Sequence, residues 1–260
     1  MLARRIMSEY VIAVVPDQGT AIEGLRVLDD LHAAGSVTLY GTVIVRREGN
    51  GELAIEQRSD DGPARAGVGS LLGGLVGLFG ARDSTFWREH LRTEVRDDFL
   101  ADIVRELVPG KHAVIAEVSS ESNALLDSRL TALGASVFHQ VRSDGADDLL
   151  EQSVGSSAAE LERRRAQRES VAAISTALDA ELEHAQQRLQ LMAETARKRL
   201  SDTKEQLEAR LETLASQAAK ATAEMRSRID HRITEVRKEL EERQKKLAHA
   251  WDEAQQALHH

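Results

Sequence analysis

The sequence predicts an α+β ferredoxin-like open sandwich, β-α-β-β-α-β plus an extra helix and strand, followed by a long α-helical coiled coil. Three observations predict it. Helix breakers crowd one end: all 17 glycines lie at or before Gly155, and the three prolines (Pro16, Pro63, Pro109) lie before Gly110. Residues 156–260 consist largely of Ala, Leu, Glu, Gln, Arg and Lys, the strongest helix formers. Ahead of them, short apolar runs alternate with segments of helical spacing, bounded by turn residues. The expected plan is a flexible N-terminus (1–9), an α/β head (10–143), a linker (144–157) and a long helix (158–260).

The elements follow in order. The run Tyr10–Val15 reads as a buried strand stopped by Pro16. Arg4 and Arg5 precede it, but the run is too short for a secretory signal. Ala21, Leu25, Leu28 and Leu31 recur at helical spacing, and Gly35 closes that helix. Residues 37–47 and 52–58 flank Gly49-Asn50-Gly51 and predict a hairpin. A helix over 96–107 ends at Pro109-Gly110, and Ala113–Val118 is a strand. A helix over 122–133 ends at Gly134, and Ala135–Val141 is the last strand.

The C-terminal segment carries one apolar stripe from Val171 to Leu258, spanning 87 residues in 24 steps, about 3.63 residues per step. That period suits a nearly straight or weakly right-handed helix rather than a leucine zipper. Arg243 occupies the one broken place. A single helix of this length leaves its stripe in need of a partner: a second copy, another protein, a membrane surface or the same chain folded back. A fold-back needs a turn, and no glycine or proline supplies one; the least helical windows are 201–203 and 215–222. The expectation is therefore a homo-oligomer. Its contacts would be Leu178, Leu182, Leu189, Leu200, Leu207, Leu211, Leu214, Met225, Ile229, Ile233, Val236, Leu240 and Leu247. Charges of both signs on the polar face and few aromatics on the apolar one favour protein packing over lipid.

Residues 66–81, AGVGSLLGGLVGLFGA, form a separate feature. Gly67, Gly69, Gly73, Gly74, Gly77 and Gly80 interleave with Leu71, Leu72, Leu75, Leu78 and Phe79. Small residues four apart allow two helices to approach closely. The segment is shorter than the roughly 20 residues that cross a bilayer as a helix. A tight helix contact, an interfacial membrane segment and a glycine loop all remain open.

Composition excludes several chemistries. With no cysteine there is no disulfide framework, thiolate zinc site or cysteine nucleophile. With 34 basic and 43 acidic residues, the balance argues against nucleic acid as a partner. The pairs Asp29–Asp30, Asp60–Asp61, Asp97–Asp98 and Asp147–Asp148 are adjacent, so their members diverge on a helix. His90, His112 and His139 have no ligand-like spacing, and Ser119, Ser120 and Ser122 read as a helix-capping region. No catalytic, metal or cofactor site is expected.

Several of these features together resemble the bacterial DUF1269 family. They are Leu28-Asp29-Asp30-Leu31 before Gly35, the strand pair around Gly41–Arg58, the glycine–leucine segment 66–80, Asp97-Asp98-Phe99, Pro109-Gly110 and Leu133-Gly134. The resemblance covers about residues 10–142 and leaves the C-terminal helix outside it. In the family the glycine-rich segment is usually longer, with a second cluster; here the polar run from Ala81 to Val95 follows it. The resemblance implies a membrane-associated protein of uncharacterised function and no catalytic residues. The expected function is structural: a cytoplasmic scaffold that oligomerises through its helix while the head docks on a protein or on the inner face of the membrane. The alternatives are a peripheral envelope-stress protein that binds lipid and a regulatory head that binds a small ligand.

Overall fold

A computed structural model describes residues 8–58, 75, 97–142, 145–170 and 176–259 of the 260. The chain divides into two compact units: residues 1–143 with 206–238, and residues 144–205 with 239–260.

The first unit is built on a five-stranded antiparallel sheet. In chain order its elements are β1 (Ser8–Val15), α1 (Gln18–Ala33), β2 (Val37–Arg47), β3 (Leu53–Arg58), α2 (Asp97–Glu106), β4 (His112–Ser120), α3 (Ala124–Ala132) and β5 (Ser136–Val141). The strand order is β3-β2-β4-β1-β5. Strand β1 lies between β4 and β5, antiparallel to both, and β4 lies between β1 and β2. The two β-α-β crossovers are therefore β1-α1-β2 and β4-α3-β5, each with the first strand of the other between its own strands. This differs from the expected grouping. The last helix and strand are integral to the sheet, because β5 hydrogen-bonds to β1, whereas β3 and α2 lie outside the two crossovers.

Both faces of the sheet are covered, which is why β1 reads as an unbroken apolar run and is buried along its whole length. On one face Val11, Ala13, Val15, Val114, Ala116 and Val118 pack against Leu28 and Leu31 of α1 and Leu126 and Leu130 of α3. On the other face Tyr10, Ile12, Val14, Val43, Val45 and Ile115 pack against Phe99, Leu100 and Ile103 of α2. The N-terminus of α1 is capped by Asp17, whose carboxylate accepts from the Thr20 N–H at 2.8 Å and is held below its ordinary range by that bond. The backbone after α1 turns through Gly35 at φ +68°, a conformation that favours glycine.

The C-terminal segment is three helices rather than one: α4 (Gly145–Ser170), α5 (Thr176–Lys220) and α6 (Ala223–His259). Residues 145–157, expected as linker, belong to α4, and β1 begins at Ser8 inside the expected flexible terminus. The break between α5 and α6 falls at Ala221-Thr222, within one of the two weakest windows. It needs neither glycine nor proline, since no non-glycine residue has positive φ among the described residues. Thr222 starts α6: its carbonyl accepts from the Arg226 N–H, and its hydroxyl faces the Met225 N–H at 3.5 Å.

The second unit contains α4 and the outer lengths of α5 and α6. Val154, Ala158 and Leu161 of α4, Leu189, Ala193 and Ala196 of α5, and Ala250, Ala254 and Ala257 of α6 form one buried cluster. The pairing of 193–196 with 250–254 shows that α6 runs back along α5. Arg197 covers the Trp251 ring, 5.7 Å from its centroid. Asp147, in the first turn of α4, accepts from Arg199 at 3.1 Å and Arg243 at 2.7 Å. That pairing accounts for the arginine that interrupts the stripe. Its neighbour Asp148 takes Lys246 at 2.5 Å.

Candidate docking site on the sheet

The inner lengths of α5 and α6, 206–220 and 223–238, belong to the sheet unit. Local strand geometry prepares the face they meet. A register irregularity between Leu39 and Gly41 places Tyr40 in a bulge of β2. The bulge shifts the alternation, so that Thr38 and Tyr40 share a face with Val43 and Val45. Across the sheet, Thr38 and Ser8 both pair with Ser119, and Gly41 and Tyr10 both pair with Glu117. The result is a polar extension of the α2-covered face. It carries Ser8, Thr38, Tyr40, Glu117 and Ser119, all buried.

Three cations and an amide meet these groups. Glu117 is 1 % exposed and accepts from Arg142 at 3.0 Å and from Arg210 of α5. Burial alone would raise the Glu117 ionisation; the two guanidiniums outweigh it and hold the carboxyl below its ordinary range. Arg210 also lies over the Tyr40 ring, 5.1 Å from the centroid, and burial pushes the Tyr40 hydroxyl up to about 12. The second guanidinium arm of Arg142 reaches Gln206 of α5 at 2.8 Å. Gln217 donates to the His32 and Val37 carbonyls at 2.7 and 2.8 Å and accepts from the Thr38 hydroxyl at 2.7 Å. Arg232 of α6, 1 % exposed, donates to Thr38 Oγ1 and to the Gly35 and Ser36 carbonyls at 3.0–3.2 Å. Burial holds its ionisation below the usual guanidinium range. At the turn itself, a Cβ on Gly35 would stand 3.0 Å from Met225 Cε and 3.2 Å from Met225 Cβ.

The structure distributes the expected site residues unevenly. Of the glycine–leucine segment only Leu75 is described; it is helical, fully buried and part of the α2-side core. Gly67, Gly69, Leu71, Leu72, Gly73, Gly74, Gly77, Leu78, Phe79 and Gly80 lie outside the described residues, as do Asp60, Asp61 and His90. Of the expected oligomer contacts, Leu189, Leu214, Ile229, Val236, Leu240 and Leu247 are buried within the single chain. Leu178, Leu182, Leu200, Leu207, Leu211, Met225 and Ile233 are half-buried.

Of the three histidines read together in the sequence, the two that are described, His112 and His139, go to separate partners. His112 faces Glu56 at 3.1 Å. His139 lies between Asp127 of α3 at 2.7 Å and Glu9 of β1 at 3.3 Å, with Asn123 also at 3.3 Å. Burial works to lower its ionisation, but the two carboxylates prevail and raise it. No group of three or more His, Cys, Asp or Glu side chains is placed to hold a metal among the described residues. Among them, too, no helix is long and apolar enough to cross a membrane.

Comparison of the chain with family models, with curated proteins and with solved structures finds no match in any of the three.

Sequence reasoning named Ser119 as part of a helix-capping region and Met225 as an oligomer contact and missed the rest of the docking site, although two signals point to it. Glu117 is the one charge in the buried run from Ala113 to Ser119. Thr203, Arg210 and Gln217 stand seven apart on one face of α5, and all three are buried.

Proposed function

We propose that the protein is a non-enzymatic structural protein in which the α/β head is a docking platform and the chain's own α5–α6 turn region is its resident occupant. The observation that carries this reading is the buried carboxylate of Glu117 held by Arg142 of the sheet unit and Arg210 of α5. Buried ion networks contribute little net stability compared with apolar packing, but a mispaired arrangement leaves a buried charge and is strongly disfavoured. Such a network fixes which surface sits on the platform.

The crossovers β1-α1-β2 and β4-α3-β5 support a ferredoxin-like sandwich with β3 and α2 inserted between its halves. The DUF1269 resemblance over residues 10–142 belongs to the same reading, with the helical segment outside it. The scaffold role does not require self-association on this reading, because part of the apolar stripe, Leu189, Leu214, Ile229, Val236, Leu240 and Leu247, is buried within one chain. The coiled-coil pairing is then the intrachain one of α5 with α6. The placement of Leu75 in the head's core supports a packing role for that residue.

Light scattering on the full chain tests the reading. A particle of the chain mass, 28.6 kDa, is expected. A dimer or larger species would return the stripe to its role as an intermolecular contact.

A further inference from the structure

The docking site has an imbalance of charge and of hydrogen bonds. Arg210 and Arg232 are each less than a tenth exposed, and among the described residues the one buried carboxylate on their face is Glu117, which also takes Arg142. Glu9, the other buried carboxylate among the described residues of this unit, alternates to the opposite face of β1 and meets His139. The acceptors of Arg232 are a hydroxyl and two carbonyls, all neutral. Glu121, which bears on Arg232 through space, is exposed. Buried donors are also left over: Arg210 Nη1, Arg232 Nε and the Ser8 hydroxyl have no hydrogen-bond partner. Uncompensated charge and unpaired donors in the interior are each costly, and an ion or water commonly resolves them.

We infer that this face holds a small inorganic anion, chloride or a tetrahedral oxyanion, between the Ser8–Ser119 pair and the guanidiniums of Arg210 and Arg232. The anion completes the free N–H groups, offsets the excess of positive charge, and links the serine pair to both α5 and α6. Its binding strengthens the docked state, so the inference rests on the docking reading above.

The test is thermal unfolding of the full chain at constant ionic strength. Chloride or phosphate replaces gluconate, an anion too bulky for a site sized for chloride or a tetrahedral oxyanion. The wild type is expected to gain stability with a saturating dependence on chloride or phosphate. Arg232→Met, which keeps the stem and removes the charge, shifts half-saturation upward by about tenfold or more, equivalent to about 1.4 kcal/mol. Glu117→Gln removes the competing carboxylate and steepens the response, the opposite of what a merely structural lesion does. Should Arg232→Met fail to fold, Ser119→Ala trims one hydroxyl of the pair and is expected to weaken the response a few-fold. Equal anion dependence in wild type, Arg232→Met and Glu117→Gln would reduce the effect to general salt action and overturn the inference. So would a flat wild-type response. Crosslinking of Thr38→Cys to Gln217→Cys reports docking independently of any anion. A flat wild-type response, with the cysteine pair still crosslinking, would sink the anion site alone.

Discussion

Helices α5 and α6 are held by different chemistry along their lengths. Their outer portions lie with α4 in a bundle whose buried layer is Ala, Leu and Val, with Asp147 and its two arginines at one end. Their inner portions meet a sheet through Glu117, Arg210, Gln217, Thr38 and Arg232. The bundle is stabilised by apolar area, which is permissive about register and partner. The sheet contact is selective, because a shifted register would strand a carboxylate or a guanidinium away from water. One pair of helices thus combines a generic fastening with a specific one.

The largest effect that would break this contrast comes from Glu117→Ala. It leaves Arg142 and Arg210 buried without their carboxylate and should cost about 3–5 kcal/mol by urea unfolding. Asp147→Ala is expected to cost less, about 1–3 kcal/mol, because the Arg199 side chain is 31 % exposed and can turn to water. Equal costs would erase the distinction between the two units.

In the bundle, Ala193→Leu inserts volume where α5 approaches its neighbours and should destabilise by about 1–3 kcal/mol. The sheet unit's response to the Glu117 variants should be unchanged in that background. At the turn before β2, Gly35→Ala meets both a positive φ and the Met225 side chain. It should cost about 1–2 kcal/mol, read as a lowered Tm with the bundle's helical signal intact.

The smallest effects are pH-linked and have opposite signs. Glu117 is depressed in the folded state, so its contribution is full above its ordinary value of 4.5 and is lost as pH falls through the depressed one. His139 is raised, so its contribution is full below 6.5 and is lost as pH rises through the raised value. A Tm series across pH should show Glu117→Gln flattening the acid limb and His139→Gln flattening the neutral one.

Much of the head was legible in the sequence because its signals are local. Apolar runs, Gly35, the Gly49-Asn50-Gly51 turn, Pro109-Gly110 and Gly134 mark the strands and helices to within three residues. Strand order was harder to read, since β5 joining β1 pairs residues as distant in sequence as Glu9 and Val141, which no local motif records. The fold-back at Ala221-Thr222 was hidden for a related reason. The turn uses ordinary backbone angles, and the stripe keeps its period across the break. The docking site was least legible: Arg210, Gln217 and Arg232 sit among many similar residues on a charged helix. Only the surface opposite them distinguishes a buried arginine from a solvated one.

The most direct test of the central claim exploits the absence of cysteine. Thr38→Cys and Gln217→Cys, at positions whose side chains hydrogen-bond at 2.7 Å, introduce the only two thiols. A short bifunctional thiol reagent is then added to the full chain in dilute solution. Docking of the α5–α6 turn region on its own sheet predicts an intrachain bridge in a species of single-chain mass. Bridged dimers, or two singly modified thiols with no bridge, would contradict it.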